Sequence, residues 1–369
     1  MPDFPSRRNF LTHSLQAITT ASATALLAQG QSIGAARPIG STGANKIKIG
    51  QMGVGHAHAK GKLEALRQSS EYEVVGVVEP NEELRQDALK SDTYQDIRWM
   101  TQEELLNVPG LQVAAIETSV PDLLDTAQIC VDAGLHIHLD KPAGRSLSKF
   151  KKVLETADRQ SRTVQMGYMY RYNPGVRLLK KLLAKGWLGD PFEIEAVMSK
   201  VLSRYKRRLW SEHPGGTMFE LGCHLIDLAV GLLGPPQQVT PIHQHAARKD
   251  DPLLDNMLTV CTWPRAIGTL KSSGLEVEGF ARRHFTLCGT EGTVLIQPMD
   301  NPSVRLALSK PRGHYQTEYQ RIDFEPYQRY VDDLADLAQI VRGEKESDYT
   351  IVHDLAVQKV VLQACGLPL

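Results

Sequence analysis

Ile47-Lys48-Ile49-Gly50-Gln51-Met52-Gly53-Val54-Gly55-His56-Ala57-His58 is the stretch on which the fold turns. A short apolar run leads directly into two glycines and then into a helix-like segment over residues 58–68. A dinucleotide fold needs glycines at this junction. One makes the tight turn, and a second lets backbone amides approach a pyrophosphate at the helix N-terminus. Gly53 and Gly55 stand in those places. The third position, usually Gly or Ala for close helix packing, is His58. Alone, a two-glycine loop is a weak signal, because any tight strand-to-helix turn can look the same.

The surroundings strengthen it. Glu79 closes the next apolar run, residues 73–78, at about the ~20-residue spacing expected of the acid that holds ribose hydroxyls. A carboxylate there repels a 2′-phosphate and favours NAD over NADP, whereas its plainer alternative is a solvated strand end before Pro80. Apolar runs at 113–118, 136–139 and 163–166 read as further strands, with helical stretches at 81–89, 121–133 and 147–159 between them. Alternating strands and helices argue for an α/β, doubly wound parallel sheet of Rossmann type over residues 46–166. After Met166 the rhythm changes. Runs at 192–201, 257–262, 268–272, 284–288 and 293–297 are separated mainly by turns, which indicates a large, mostly antiparallel sheet in an α+β region over residues 167–369. Helical stretches at 327–342 and 353–365 close the chain.

Upstream, Ser6-Arg7-Arg8-Asn9-Phe10-Leu11 matches a twin-arginine export signal, a receptor-read address. No Asp, Glu, Lys or Arg follows over residues 9–36, yet the stretch is too mildly apolar for a membrane anchor, which needs roughly 20 strongly apolar residues. Residues 1–36 therefore read as a signal peptide, 37–45 as a linker, and the destination as the periplasm. The net charge of zero offers no field for nucleic acid. Five scattered cysteines give neither a disulfide framework nor a close metal-ligand pair. His56/His58, His136/His138 and His243/His245 form His-X-His pairs, but no Cys or carboxylate completes a recognisable ligand set, so packing roles outweigh a metal.

Two constellations carry chemistry. Asp140-Lys141-Pro142 follows the 136–139 run, at a carboxyl strand end where open parallel sheets place ligands. An amine there can polarise a hydroxyl, although an isolated Asp-Lys-Pro is more often an ordinary turn. In Gly215-Gly216-Thr217-Met218-Phe219-Glu220-Leu221-Gly222-Cys223-His224-Leu225-Ile226-Asp227, helical spacing puts Glu220 and His224 one turn apart. Histidine is suited to take a proton near neutral pH, and a carboxylate beside it can orient the ring.

With residues 49–58, Ala133-Gly134-Leu135-His136-Ile137-His138-Leu139-Asp140-Lys141-Pro142 and Gly167-Tyr168-Met169-Tyr170-Arg171-Tyr172-Asn173-Pro174, the 215–227 passage makes a dense likeness. The chain resembles the glucose-fructose oxidoreductase, inositol dehydrogenase and rhizopine catabolism family, Gfo/Idh/MocA. Cys288-Gly289-Thr290-Glu291-Gly292-Thr293 adds a weaker match. The resemblance implies a Rossmann domain followed by a domain with a large open sheet, a lysine in a Glu-Lys-Pro motif, and an acid and a histidine one turn apart. Lys141, Glu220 and His224 answer to these, with Asp140 replacing the commoner Glu and Glu220 the usual Asp. After the 113–118 strand only Thr118 of the family's pattern transfers, with Ser119 beside it.

On this footing NAD contacts fall on Gly53, Gly55, His56, Ala57, His58, Glu79, Thr118, Ser119, Asp140, Lys141 and Pro142. Catalysis falls on Lys141, His224 and Glu220, and substrate contacts on Arg171, Asn173 and His224. The expected activity is oxidation of a hydroxyl on a sugar or cyclitol by hydride transfer to NAD. A redox-neutral lyase or glycosidase using transient oxidation, or a non-catalytic binding protein, stays open beside it. Open sheets of this kind pair between subunits, so a homo-oligomer is expected.

Overall fold

The computed structural model describes residues 46–369 apart from 213 and 248–249. The signal peptide and linker assigned to residues 1–45 lie outside the described residues. Within the described residues no helix is long and apolar enough to cross a membrane.

Six strands form the first sheet: β1 (Ile47–Met52), β2 (Tyr72–Val78), β3 (Trp99–Met100), β4 (Leu111–Ile116), β5 (His136–Leu139) and β6 (Val164–Met166). They lie in the order 3-2-1-4-5-6, and all their pairings are parallel. Their near-continuous apolar runs follow from coverage on both faces, since a parallel strand with helices above and below meets no water. On one face the apolar stripe of the Ala59–Gln68 helix presents Ala65 and Leu66 to Ile47, Ile49, Val113 and Ala115. On the other, Phe150, Val153 and Ala157 of the Leu147–Arg159 helix enter a core shared with Ile116, Ile137 and Leu139. The order reverses between β1 and β4, where open sheets of this type bind their ligands.

The second sheet has eight strands: β7 (Pro191–Val197), β8 (Gln238–Gln244), β9 (Asn256–Trp263), β10 (Ala266–Ser273), β11 (His284–Gly289), β12 (Gly292–Ile296), β13 (Ser303–Leu308) and β14 (Gln320–Asp323). They run in the order 14-13-12-11-7-10-9-8, antiparallel except where β7 pairs with β10. The strict alternation along β9 buries Met257, Thr259, Cys261 and Trp263 and turns Leu258 and Val260 to the opposite face. That opposite face also carries Ile267, 58% exposed.

Two late helices tie the halves together. Leu334, Leu337 and Ala338 of the Val331–Val341 helix complete the core over Ile47, Tyr72 and Val113, and the Tyr72 hydroxyl donates to the Leu334 carbonyl at 2.7 Å. Gln358, in the Ile351–Ala364 helix, brackets the turn after Lys141-Pro142: its Oε1 accepts from the Ala143 amide at 3.2 Å, and its Nε2 donates to the Gly144 carbonyl at 2.6 Å.

The sequence reading misses the two-residue β3, the polar β8 and the last strands β13 and β14, along with the Pro174–Ala184 and Arg204–Ser211 helices. It also starts the penultimate helix too early. Tyr330 is left-handed at φ 70°, which breaks helical geometry, so the helix begins at Val331.

Candidate active site

Gly53 and Gly55 carry the chain from β1 across the end of β4. Gly53 sits at φ +89°, and a Cβ there would lie 2.6 Å from Thr118 Cα, so both conformation and space demand glycine. The loop opens onto a cleft of about 680 Å³ lined by Gly53, Glu79, Arg85, Thr118, Ser119 and Asp122. Glu79 Oε2 accepts from the Val54 amide and Oε1 from the Asn81 amide, each at 2.9 Å, which holds the carboxylate at the cleft edge. Ser119 Oγ donates to Asp122 at 2.7 Å, and the buried Thr118 hydroxyl has no partner among the described residues. The first turn of the Ala59–Gln68 helix contains no acid to repel a phosphate. Narrow glycine turn, edge carboxylate, orphaned hydroxyl and unopposed helix N-terminus all fit a dinucleotide.

The loop continues through exposed Ala57 to a buried charge cluster. Asp140 Oδ2 lies 2.8 Å from both His56 Nδ1 and Lys62 Nζ, and its Oδ1 lies 3.2 Å from His58 Nδ1. Lys62 Nζ also lies 3.0 Å from Glu117 Oε1. A Cβ on Gly167 would come within 2.7 Å of Lys62 Nζ, so the glycine leaves the ammonium its place. Burial works against the Lys62 charge, but Asp140 and Glu117 more than restore it and hold its pKa above the ordinary range. Burial raises Glu117, whereas Asp140, surrounded by His56, Lys62 and His58, is held well below its usual range despite burial. The donor atoms of His56, His58 and Asp140 fall within 4.8 Å of one another, close enough to frame a cation. Of these three, Asp140 also carries the Lys62 ammonium.

This cluster fixes the turn that carries Lys141. Asp140 Oδ1 accepts from the Lys141 amide at 2.6 Å, and His56 Nε2 meets the Lys141 carbonyl at 3.1 Å. Buried Pro142 follows through a cis peptide. The Lys141 side chain crosses to the other half of the molecule, where Nζ donates to the Glu220 main-chain carbonyl at 3.0 Å. That carbonyl belongs to a π-helical turn, Met218–Gly222, which precedes the Cys223–Leu233 helix.

His224, in the first turn of the Cys223–Leu233 helix, is buried edge-on between Tyr170 (5.1 Å) and Tyr168 (5.7 Å), with His58 6.3 Å away. Its Nδ1 has no partner among the described residues. Burial first, then the positive charge of Lys141, hold its pKa well below the ordinary 6.5, so the imidazole is neutral. Burial likewise lowers His58 to about 3.

Glu220 meets Lys141 through its main-chain carbonyl, and it lies in a π turn rather than in the α-helical turn that its spacing from His224 implied. Arg171 is 3% exposed and belongs to the framework: Nη2 donates to Asp227 Oδ1 at 2.6 Å and to Asp354 Oδ1 at 2.7 Å, and the guanidinium lies 3.8 Å over Tyr349. Asn173, fully buried, caps the Pro174–Ala184 helix through Gly175 and Val176 and donates to the Met299 carbonyl at 2.8 Å. The sequence reading passes over Lys62, Glu117 and Tyr170. Lys62 could have been found as a lysine on an apolar helix face beside Leu63 and Leu66, and Glu117 as an acid ending a strand, as Glu79 does.

The comparisons agree with this geometry. Residues 47–168 match the oxidoreductase family with an NAD-binding Rossmann fold, GFO_IDH_MocA, and residues 176–295 match the GFO/IDH/MocA C-terminal domain, together more than half of the chain. The scyllo-inositol 2-dehydrogenase (NADP(+)) IolW of Bacillus subtilis is 24% identical over 198 residues, 53% of this chain and 54% of that protein. Glucose-6-phosphate 3-dehydrogenase of the same organism is 30% identical over 189 residues, 49% and 51% of the two chains. These alignments span about half the length of either relative. Among solved structures, GenD2 from gentamicin A biosynthesis in complex with NAD shares the fold at a TM-score of 0.73 and 19% identity, over 90% of this chain and 96% of that one. The chain belongs to the Gfo/Idh/MocA family and is an NAD(P)-binding oxidoreductase.

Proposed function

We propose that this enzyme oxidises a hydroxyl of a sugar, cyclitol or related polyol. The observation that carries the reading is the convergence of the Lys141 ammonium and the neutral imidazole of His224, beside the loop that leads from the dinucleotide cleft. Bound NAD supplies the hydride acceptor. His224, held neutral, takes the hydroxyl proton as the carbon gives up its hydride. Lys141 stabilises the developing alkoxide, and the Glu220 carbonyl and the Asp140 cluster hold that ammonium in place. The names of IolW and glucose-6-phosphate 3-dehydrogenase support a polyol substrate.

Glu79 at the cleft edge favours NAD over NADP, since its carboxylate opposes a 2′-phosphate. The twin-arginine stretch supports export of the folded chain to the periplasm with its cofactor captive, because free NAD is expected to be scarce there. The half-exposed apolar face of the second sheet supports a homo-oligomer built on it. Denaturing natively purified protein and weighing the released small molecules tests the cofactor directly. About one NAD(H) per chain is expected. Release of NADP, or failure of both nucleotides to bind on addition, would overturn the assignment.

A further inference from the structure

A second group of cations borders the same site without the balance seen around Lys62. Next to His224, the Tyr170 hydroxyl donates to Asp300 Oδ1 at 2.6 Å, and Asp300 Oδ2 accepts from Arg283 Nη1 at 3.0 Å. Arg329 also binds Asp300, so one carboxylate serves two guanidinium groups and a phenol. Arg283 is 4% exposed, lies 3.8 Å over Phe280 and donates Nε to the Ser199 carbonyl at 3.2 Å.

Lys200 follows that carbonyl in sequence. Its backbone is pinned by donation to the Ser273 carbonyl at 3.0 Å, and its ammonium lies 5.1 Å over the Trp210 ring. No carboxylate pairs with Lys200 among the described residues. The charges around it are mostly of its own sign: Lys206, Arg283 and Lys141, against Glu220. Burial and these neighbours pull its pKa down to about 7, which is what a desolvated ammonium does when no anion compensates it.

A neutral polyol would leave this excess uncompensated, and an oxidised nicotinamide would add to it. The dinucleotide's own phosphates would be met by the glycine loop, at a cleft whose lining includes neither Lys200 nor Arg283. We propose that the substrate is an acidic sugar or polyol, bearing a carboxylate or phosphoryl group, whose anion docks on Lys200 with Arg283 and Arg329 behind it. This rests on the reading of Lys141 and His224 as the hydride-transfer site. It adds that the reacting hydroxyl and the anion sit at opposite ends of one bound molecule. Charge-assisted contacts of this kind strengthen binding and fix orientation together.

The test uses the NAD⁺-loaded full chain and three ligands that differ at one carbon: D-glucose, D-glucuronate and D-glucose 6-phosphate. Titration calorimetry is expected to show at least one acid binding roughly tenfold or more tighter than glucose, the scale of one charged hydrogen bond. Which acid gains separates carboxylate from phosphate recognition. Lys200→Gln should remove that preference and Lys200→Arg keep it, with melting temperatures as the folding control. Equal binding of all three, or a preference that survives both Lys200→Gln and Arg329→Gln, overturns the inference and leaves the dehydrogenase reading standing. Failure of the chain to take NAD⁺ in the loading step overturns the cofactor reading, and this one with it.

Discussion

Lys62 and Lys200 are two withdrawn ammonium groups in one active-site region, and they meet opposite fates. Lys62, fully buried, is held by Asp140 and Glu117, and its affinity for the proton rises above normal. Lys200 faces Lys206, Arg283 and Lys141, and its affinity falls. The difference lies in compensation rather than burial. Where the chain supplies its own counter-charges, the cluster acts as framework, positioning Lys141 and the nucleotide loop. Where it withholds them, the remaining field is available to a ligand. The same contrast separates Arg171, closed off by Asp227 and Asp354, from Arg283 and Arg329, which share Asp300.

The largest expected effect concerns the two groups proposed to face the reacting hydroxyl. His224→Ala or Lys141→Ala should lower single-turnover hydride transfer about 10²- to 10⁴-fold, followed by NADH absorbance on an identified substrate, with NAD still bound. A loss under threefold in both would remove them from the chemistry. Next comes a direct test of the contrast. Lys62→Met strands two carboxylates in the interior and should cost ~3–5 kcal/mol in urea unfolding, the penalty for breaking a buried pair. Lys200→Met, which strands nothing, should cost little or raise stability. Equal losses would break the comparison.

A smaller effect is set by pH. Burial raises the Asp333 carboxyl from its ordinary 3.8 to about 6, opposed by Lys62. A carboxyl raised on folding contributes stability below pH 3.8 and loses it as pH climbs through about 6. Relative to Asp333→Asn, the wild-type chain should therefore lose roughly 2 kcal/mol between pH 4 and pH 7, measured by denaturant unfolding at both. A pH-independent difference would mean that the carboxyl titrates normally. The subtlest effect is on the rate profile. His224 is already neutral below pH 6.5, so the oxidation rate should show no acid limb at 6.5. Steady-state rates from pH 5 to 8 would expose one.

Periodicity in the sequence placed five of the six parallel strands within a residue or two, because runs buried on both faces keep their apolar pattern whatever lies around them; the two-residue β3 is too short to show one. β8, with Gln238, Thr240 and Gln244 exposed, carries no such pattern and stayed hidden. Lys141 and His224 were legible from motif and strand-end position. The π turn at Glu220 was not legible, because residue spacing alone does not distinguish it from an α turn. Nor was the burial of Arg171 among carboxylates 56 and 183 positions away.

By itself the sequence determined the alternation of strands and helices in the first half, the glycine turn, the edge acid Glu79 and the two groups suited to proton and charge transfer. These are local properties, set by residue type and spacing. Only the tertiary structure decided which charges are compensated. Lys62 reaches Asp140 across 78 positions, and Lys141 reaches Glu220 across 79, while Lys200 is left without a carboxylate partner among the described residues. Electrostatic balance depends on distance in space and on burial, and neither is written in the spacing of residues along the chain.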